Sequence, residues 1–405
     1  MNKETMAFLD QNLSFEERAA DLVSRMTLEE KATQLKNVAP AIPRLGVSGY
    51  NYWREALHGV ARQGRATSFP TSLAMANTWN RDLVFRAAEI TSTEARGKNS
   101  KFNLSYWSPT INMARDPRWG RNEETYGEDP YLTGELGIQF VKGMQGDDPR
   151  YLKTIATVKH FVANNVEKER RGGTSVMNES TLRDYYAEVF RRVVEGADPA
   201  SAMGSYNATT LYRNGKLLYD YIPSNANPYI MQELLRRNWG FTGYVTGDCG
   251  AFEDLNKVDA YKQALFPGEN IGDIPQSATI VKAFLNGADT DCGSAATAVN
   301  VLEAVEKGYI TENQLSMNVY NLFLQRMRTG EFDEKSRYSS ITGEVIEREE
   351  HIRVAEEAAE ESWVLLKNNG VLPIGKSVKK VVLAGALADQ VVLGDYSGSP
   401  RQQIT

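Results

Sequence analysis

Apolar positions recur at roughly helical spacing from the start of the chain. In SFEERAADLVSRMTLEEKATQL, Leu22, Met26, Leu28 and Leu35 line one side of a helical pattern. Thr27-Leu28-Glu29-Glu30 carries the residues of a capping box and predicts a second helix restarting there. After this the pattern alternates: short extended stretches end in polar residues, and each is followed by a helical one. The extended stretches are the one ending near Glu55, then SFPTSLAMANT, FNLSYWSPTIN, TIATVKHF, SAMGSYN, GYVTGD and GADTD. Helical patterns between them include RDLVFRAAEITSTEAR, YLTGELGIQFVKGMQ, STLRDYYAEVFRRVVEG, PYIMQELLRRNW and SAATAVNVLEAVEKG. Strand alternating with helix over about 300 residues predicts an α/β fold with a parallel sheet. Seven such strands favour closure into a (β/α)8-type barrel, with the eighth strand unassigned.

The character changes near Glu331. The barrel is expected over 1–330 and a helical linker over 331–376, where EVIEREEHIRVAEEAAEESWVLLKNN is charged and amphipathic. Residues 377–405 then read as the beginning of a second α/β domain of sandwich type, with KVVLAGA as a buried strand ahead of a glycine-rich loop. Some 30 residues cannot close a core of their own, so this second unit is expected to be incomplete.

Composition narrows the function classes. A net charge of −6 lacks the dense basic face that nucleic acid requires, and no apolar run reaches the ~18 residues of a membrane span. The N-terminal stretch MNKETMAFLDQNLSFEERAADL has neither an apolar core nor a small-residue cleavage site. A cytoplasmic location is expected, or a periplasmic or secreted one had a leader been removed. Three scattered histidines, His58, His160 and His351, leave little for a histidine-based metal site, and no metal or other cofactor is expected.

In a barrel, polar residues at the C-terminal ends of strands converge on one mouth, where active sites of this fold lie. That rule selects Glu55, Lys159, His160, Tyr206, Asp248 and Asp291. In GRNEETYGEDPYL the carboxylates read equally as a solvated loop, with Asp129 as a helix N-cap and Pro130 at the first helical position. Arg121 differs, because RDPRWGR sets three arginines beside a tryptophan, and a guanidinium can hold two sugar hydroxyls at once. Adjacent residues on a strand point to opposite faces, so Lys159 and His160 serve one site only if the chain bends there. In GFTGYVTGDCGAF an apolar strand ends in Asp248 ahead of a glycine. Asp248 either caps the following turn or faces a ligand, and Arg121, Lys159 and Arg170 would keep it ionised if they converge.

Taken together and in order, ERAADLVSRMTLEEKATQL, WREALHGV, INMARDPRWGRNEETYGEDPYL, VKHFVANNVEKER, GSYN, GYVTGDCGA, GADTDCG and VLLKNNGVLPI resemble glycoside hydrolase family 3. EALHGV and GYVTGDCG look most like its β-xylosidase branch. The resemblance implies a retaining, exo-acting glycosidase with Asp248 as the nucleophile, releasing xylose from short oligosaccharides. It places sugar-holding roles on Arg121, Lys159, His160 and Arg170, a tyrosine beside the nucleophile at Tyr206, and an aromatic wall at Trp107. β-Glucosidases of the family usually carry an aspartate where Glu55 stands. The extra methylene intrudes where a hexose's hydroxymethyl would sit, so Glu55 favours a pentose by ~1–3 kcal/mol, which leaves room for β-glucosidase or α-L-arabinofuranosidase activity. The segment YNATTLYRNGKLLYDYIPSNANPY is longer than the family's loop after SYN and is expected to reshape the aglycone side.

The family's general acid is a glutamate of the second domain, and no residue of this chain matches it. The missing C-terminal domain or a second subunit is the implied source, and without it the chain reads as a crippled hydrolase or a non-catalytic sugar-binding fragment. The chain's two cysteines sit in near-copies, TGDCGAF and DTDCGSA. Two strand ends at one mouth explain the repeat, with Asp291 as a structural partner. A metal set of Asp248, Cys249, Asp291 and Cys292 fits zinc chemistry poorly, while a Cys249–Cys292 disulfide and two buried thiols stand equal.

Overall fold

The computed structural model describes residues 6–403. Residues 1–5 of the N-terminal stretch and residues 404 and 405 of the expected second unit lie outside the described part. Its strands are β1 (Val38–Ala39), β2 (Tyr50–Asn51), β3 (Ser105–Tyr106), β4 (Ile155–Phe161), β5 (Thr174–Asn178), β6 (Ser201–Gly204), β7 (Ala208–Arg213), β8 (Lys216–Pro223) and β9 (Tyr244–Gly247). A parallel sheet runs β3-β4-β6-β9. Backbone hydrogen bonds carry it round into a ring: Gly247 N donates to Thr290 O, Asn37 N to Asp291 O, Tyr52 N to Asn37 O, and Trp107 N to Arg54 O. The ring therefore closes over seven segments, with β1 and β2 antiparallel. The α/β barrel is present, and a wall that closes on seven segments explains why no eighth strand stood out in the sequence.

Local chemistry accounts for the elements. All seven residues of β4 are buried, as befits a strand covered by helices outside and side chains inside. Thr27 caps helix Leu28–Thr33 through the reciprocal bonds of a capping box, and Asp129 caps Pro130–Gln145 by accepting from Leu132 N. The periodic stretches form the outer helices Arg81–Asn99, Pro130–Gln145, Glu188–Ala197, Tyr229–Asn238 and Ala298–Glu306. At the end of the wall Asp289, fully buried, accepts from Val245 N, Arg236, Asn318 and Asn321, which fixes the strand end before Asp291.

Two extended stretches come out differently. SFPTSLAMANT holds helix Ser72–Asn77, because Pro70 only precedes it and Leu73-Ala74-Met75-Ala76 is a run of good helix formers. KVVLAGA forms no strand: Val381, Val382 and Leu383 are exposed, with no neighbouring strand to pair with among the described residues. The long segment after SYN is not a loop. It makes the antiparallel hairpin β7–β8, and β5 joins β7 in parallel to complete a three-stranded sheet beside the mouth. The charged segment expected as a linker contains helix Glu349–Glu361, where His351 Nδ1 donates to Glu94 Oε1 at 2.8 Å.

Candidate active site

Asp248 follows β9 directly and is 8% exposed. One carboxylate oxygen accepts from Cys249 N at 2.7 Å, while Oδ2 is buried with no hydrogen-bond partner. Its nearest ring nitrogen is Nε2 of His160, 3.7 Å away. Burial pushes the Asp248 carboxyl above its ordinary range, and the charges of Arg121 and Lys159 oppose that rise.

Lys159 and His160 lie near the C-terminal end of β4, and both reach this site. The pairing of β4 with β6 shifts register between Val158 and Phe161, so the chain leaves its simple in-out alternation here. Asn112 grips His160, its Oδ1 accepting both from the backbone N–H at 2.8 Å and from Nδ1 at 3.0 Å. Nδ1 therefore carries the proton, and Nε2 presents a lone pair to the mouth. Burial, then the charges of Arg121, Lys159 and Arg170, hold this imidazole well below its usual pKa and keep it neutral. Lys159 Nζ donates to Glu55 Oε2 at 2.8 Å and Trp53 Nε1 to Glu55 Oε1 at 3.1 Å, so both oxygens of this buried carboxylate are engaged. Burial raises the Glu55 pKa and Lys159 pulls it back.

The remaining expected residues arrange themselves around this centre. Arg121 places Nε and a terminal nitrogen on Glu124 at 2.7 and 2.6 Å. Burial opposes the Arg121 charge, and Glu124 outweighs burial, so the guanidinium is held firmly protonated. Arg170 pairs with Glu167 at 2.9 Å, and Trp119 Nε1 holds the other Glu167 oxygen. Tyr206 donates to Cys249 O at 2.8 Å, one residue past Asp248, with Arg170 over its ring at 4.8 Å. Trp107 is buried and stacks on Trp53 at 5.8 Å, so the more open Trp53 forms the outer layer of that wall.

Cys249 and Cys292 are joined by a disulfide, which settles the open question of the near-copies and takes both sulfurs out of any ligand set. Asp291 is structural: Oδ2 accepts from Ala295 N and Ala296 N, and burial lifts its pKa to about 6. Sequence reasoning missed Trp53 and Tyr396. Trp53 stands two residues before Glu55, a spacing that puts both on one face of an extended chain. Tyr396 lies under Lys159 Nζ at 4.8 Å and under Arg62 at 4.7 Å. Its segment is fastened to the mouth where His58 Nε2 meets Asp395 O at 2.9 Å and Arg62 N donates to Ser397 O. The glycine-rich GDYSGSP was the only sequence signal for it.

Comparison with known proteins agrees with this geometry. The model of the glycosyl hydrolase family 3 N-terminal domain matches residues 27–323. A xylan 1,4-β-xylosidase of Xylanibacter ruminicola is 35% identical over 99% of this chain and 47% of its own length. A β-xylosidase/α-L-arabinofuranosidase of Medicago sativa subsp. varia is 35% identical over 98% of this chain and 52% of its own length. Among solved structures, a GH3 exo-β-xylosidase (XlnD) in complex with a xylobiose aziridine probe superposes with a TM-score of 0.83 at 33% identity, covering 93% of this chain and 48% of that one. A β-glucosidase 3B from Thermotoga neapolitana gives 0.68 at 26% identity, covering 88% and 48%. The chain thus spans about half the length of the curated relatives it matches. With the family's N-terminal domain matched over residues 27–323 and relatives 35% identical along nearly the whole chain, this protein belongs to glycosyl hydrolase family 3.

Proposed function

We propose that this barrel carries the nucleophile half of a retaining β-xylosidase, with Asp248 attacking the anomeric carbon of a terminal xylosyl unit. The observation that carries the reading is the Asp248 carboxylate: one oxygen steadied by a backbone N–H, the other buried, unpartnered and facing neutral His160. Attack forms a bond from the carboxylate oxygen to the anomeric carbon as the glycosidic C–O bond breaks, and water later hydrolyses the glycosyl-aspartate. Arg121 and Lys159 stabilise the carboxylate that departs in the second step, and His160 Nε2 accepts a hydrogen bond from a sugar hydroxyl. Glu55, backed by Trp53 and Lys159, closes the side of the pocket where a hexose would place its hydroxymethyl. The xylosidases among the relatives support xylosides as the substrate class.

The acid that protonates the leaving oxygen comes, on this reading, from outside the described residues. Three carboxylates of the mouth are already committed: Glu55 to Lys159 and Trp53, Glu124 to Arg121, and Glu167 to Arg170 and Trp119. A further domain or a second subunit is the proposed source. Protonation of the leaving group contributes about 10²–10⁴-fold. The chain by itself should therefore cleave aryl xylosides with good leaving groups far faster than xylobiose, and Asp248→Ala should abolish both. Comparable rates on the two substrates would sink the missing-acid reading, and surviving activity in Asp248→Ala would remove Asp248 as nucleophile.

A further inference from the structure

Arg171, the neighbour of the sugar-side Arg170, reaches the chain that follows Asp248. One terminal nitrogen donates to Cys249 O at 2.7 Å, and the other lies 3.3 Å from Asp254 Oδ1. Its guanidinium lies 4.8 Å from the centre of the Tyr206 ring, as Arg170 does, so both guanidinium groups pack on this one ring. Space for it exists because residue 250 is glycine: a Cβ there would meet the Arg171 guanidinium at 2.6 Å, and the backbone has a positive φ of 86°.

Cys249 is the hinge of this arrangement. Its N–H is the donor that holds Asp248 Oδ1, and the direction of that N–H depends on how the rest of the residue is fixed. The side chain is tied to Cys292, and the carbonyl takes two donors, Tyr206 OH and Arg171. We propose that Arg171 is a positioning residue for the Asp248 carboxylate, acting through the carbonyl of Cys249. An arginine suits the role because its rigid fork spans the Cys249 carbonyl and Asp254, which anchors helix Ala251–Lys257. A lysine could reach one of these and would hold neither in a fixed direction.

The inference rests on the reading of Asp248 as nucleophile, and the test separates the two. The full chain is treated with a 2-deoxy-2-fluoroxyloside bearing a dinitrophenolate leaving group, which needs no acid, and the labelled peptide is identified by mass. Trapping rate and inhibitor affinity are then measured against pH for the native chain, Arg171→Lys and Arg171→Gln, at temperatures where circular dichroism shows each folded. Both variants should trap about ten- to a hundredfold more slowly at saturation, with affinity within about twofold. Their acid limb should move to higher pH, because a less well held carboxylate takes up a proton more readily. A role limited to stability would lower the melting temperature and leave the rate and acid limb of the folded chain in place, which would overturn the proposal. Full rates in Arg171→Lys would overturn it too, since charge alone would then suffice. Absence of label on Asp248 in the native chain would instead sink the nucleophile reading and this inference with it.

Discussion

Glu55 and Lys159 are both almost wholly buried, and neither could sit there alone. Removing the ammonium would leave the carboxylate with Trp53 as its only side-chain donor, and breaking a buried pair typically costs about 3–5 kcal/mol. Lys159→Met should therefore lower stability by about that much in a denaturant titration. Lys159→Met with Glu55→Gln should regain a large share of it, because no uncompensated charge remains. Additive losses in the double variant would show that the two residues do not act as a pair. The same pair shows what was legible at this scale. Glu55, Lys159, His160 and Asp248 could be picked out because each is a polar residue at the end of an extended stretch, which a barrel gathers at one mouth. Tyr396 could not, since a residue over 200 positions from β4 reaches Lys159 through a turn that no periodicity encodes.

Among the elements, helices were readable because a 3.6-residue period survives over 10–19 positions, as in Arg81–Asn99 and Glu188–Ala197. The wall strands were harder, since β1, β2 and β3 are two residues each and leave no period to read. Ser72–Asn77 was misread for the related reason that six residues hold less than two turns. Helix Glu349–Glu361 was visible as an amphipathic run, but its ties were not: Arg86 grips Glu357 and Asn80 reaches Glu361 on its outer side, while on the buried side Glu94 accepts from Thr67 N, Thr67 Oγ1, Glu347 N and His351 Nδ1. Glu94→Ala would strand four donors, each costing about 1–3 kcal/mol if it stays buried and unpaired. The cheaper outcome is for the linker to let water in. Hydrogen exchange in Glu94→Ala should therefore accelerate across Glu349–Glu361 while β4 and β9 stay protected. Uniform acceleration over the whole chain would mean that linker and barrel open as one unit instead.

For the whole molecule, the imbalance lies beyond residue 323, where the family match ends. Trp363, Leu366, Val382 and Leu383 are 82, 91, 76 and 75% exposed, in a run that forms no regular element. Beside it a cleft of about 760 Å³ opens between Phe69, Pro70, Ile352, Ala355, Trp363 and Leu393. Single exposed apolar residues are ordinary, but so many of them in one irregular run leave apolar surface open to association. A net charge of −6 spread over 405 residues is a weak repulsion against that apolar drive at physiological ionic strength. The isolated chain should therefore self-associate as its concentration rises, and should bind a dye that reports exposed apolar surface. Leu366→Ser, Val382→Ser and Leu383→Ser combined should reduce both in sedimentation velocity and dye titration. If the proposed xyloside cleavage holds, its rate on an aryl xyloside should be unchanged in the triple variant. A native chain that stays monomeric up to high concentration, and binds no more dye than the triple variant, would mean that these residues are covered by their own chain in solution.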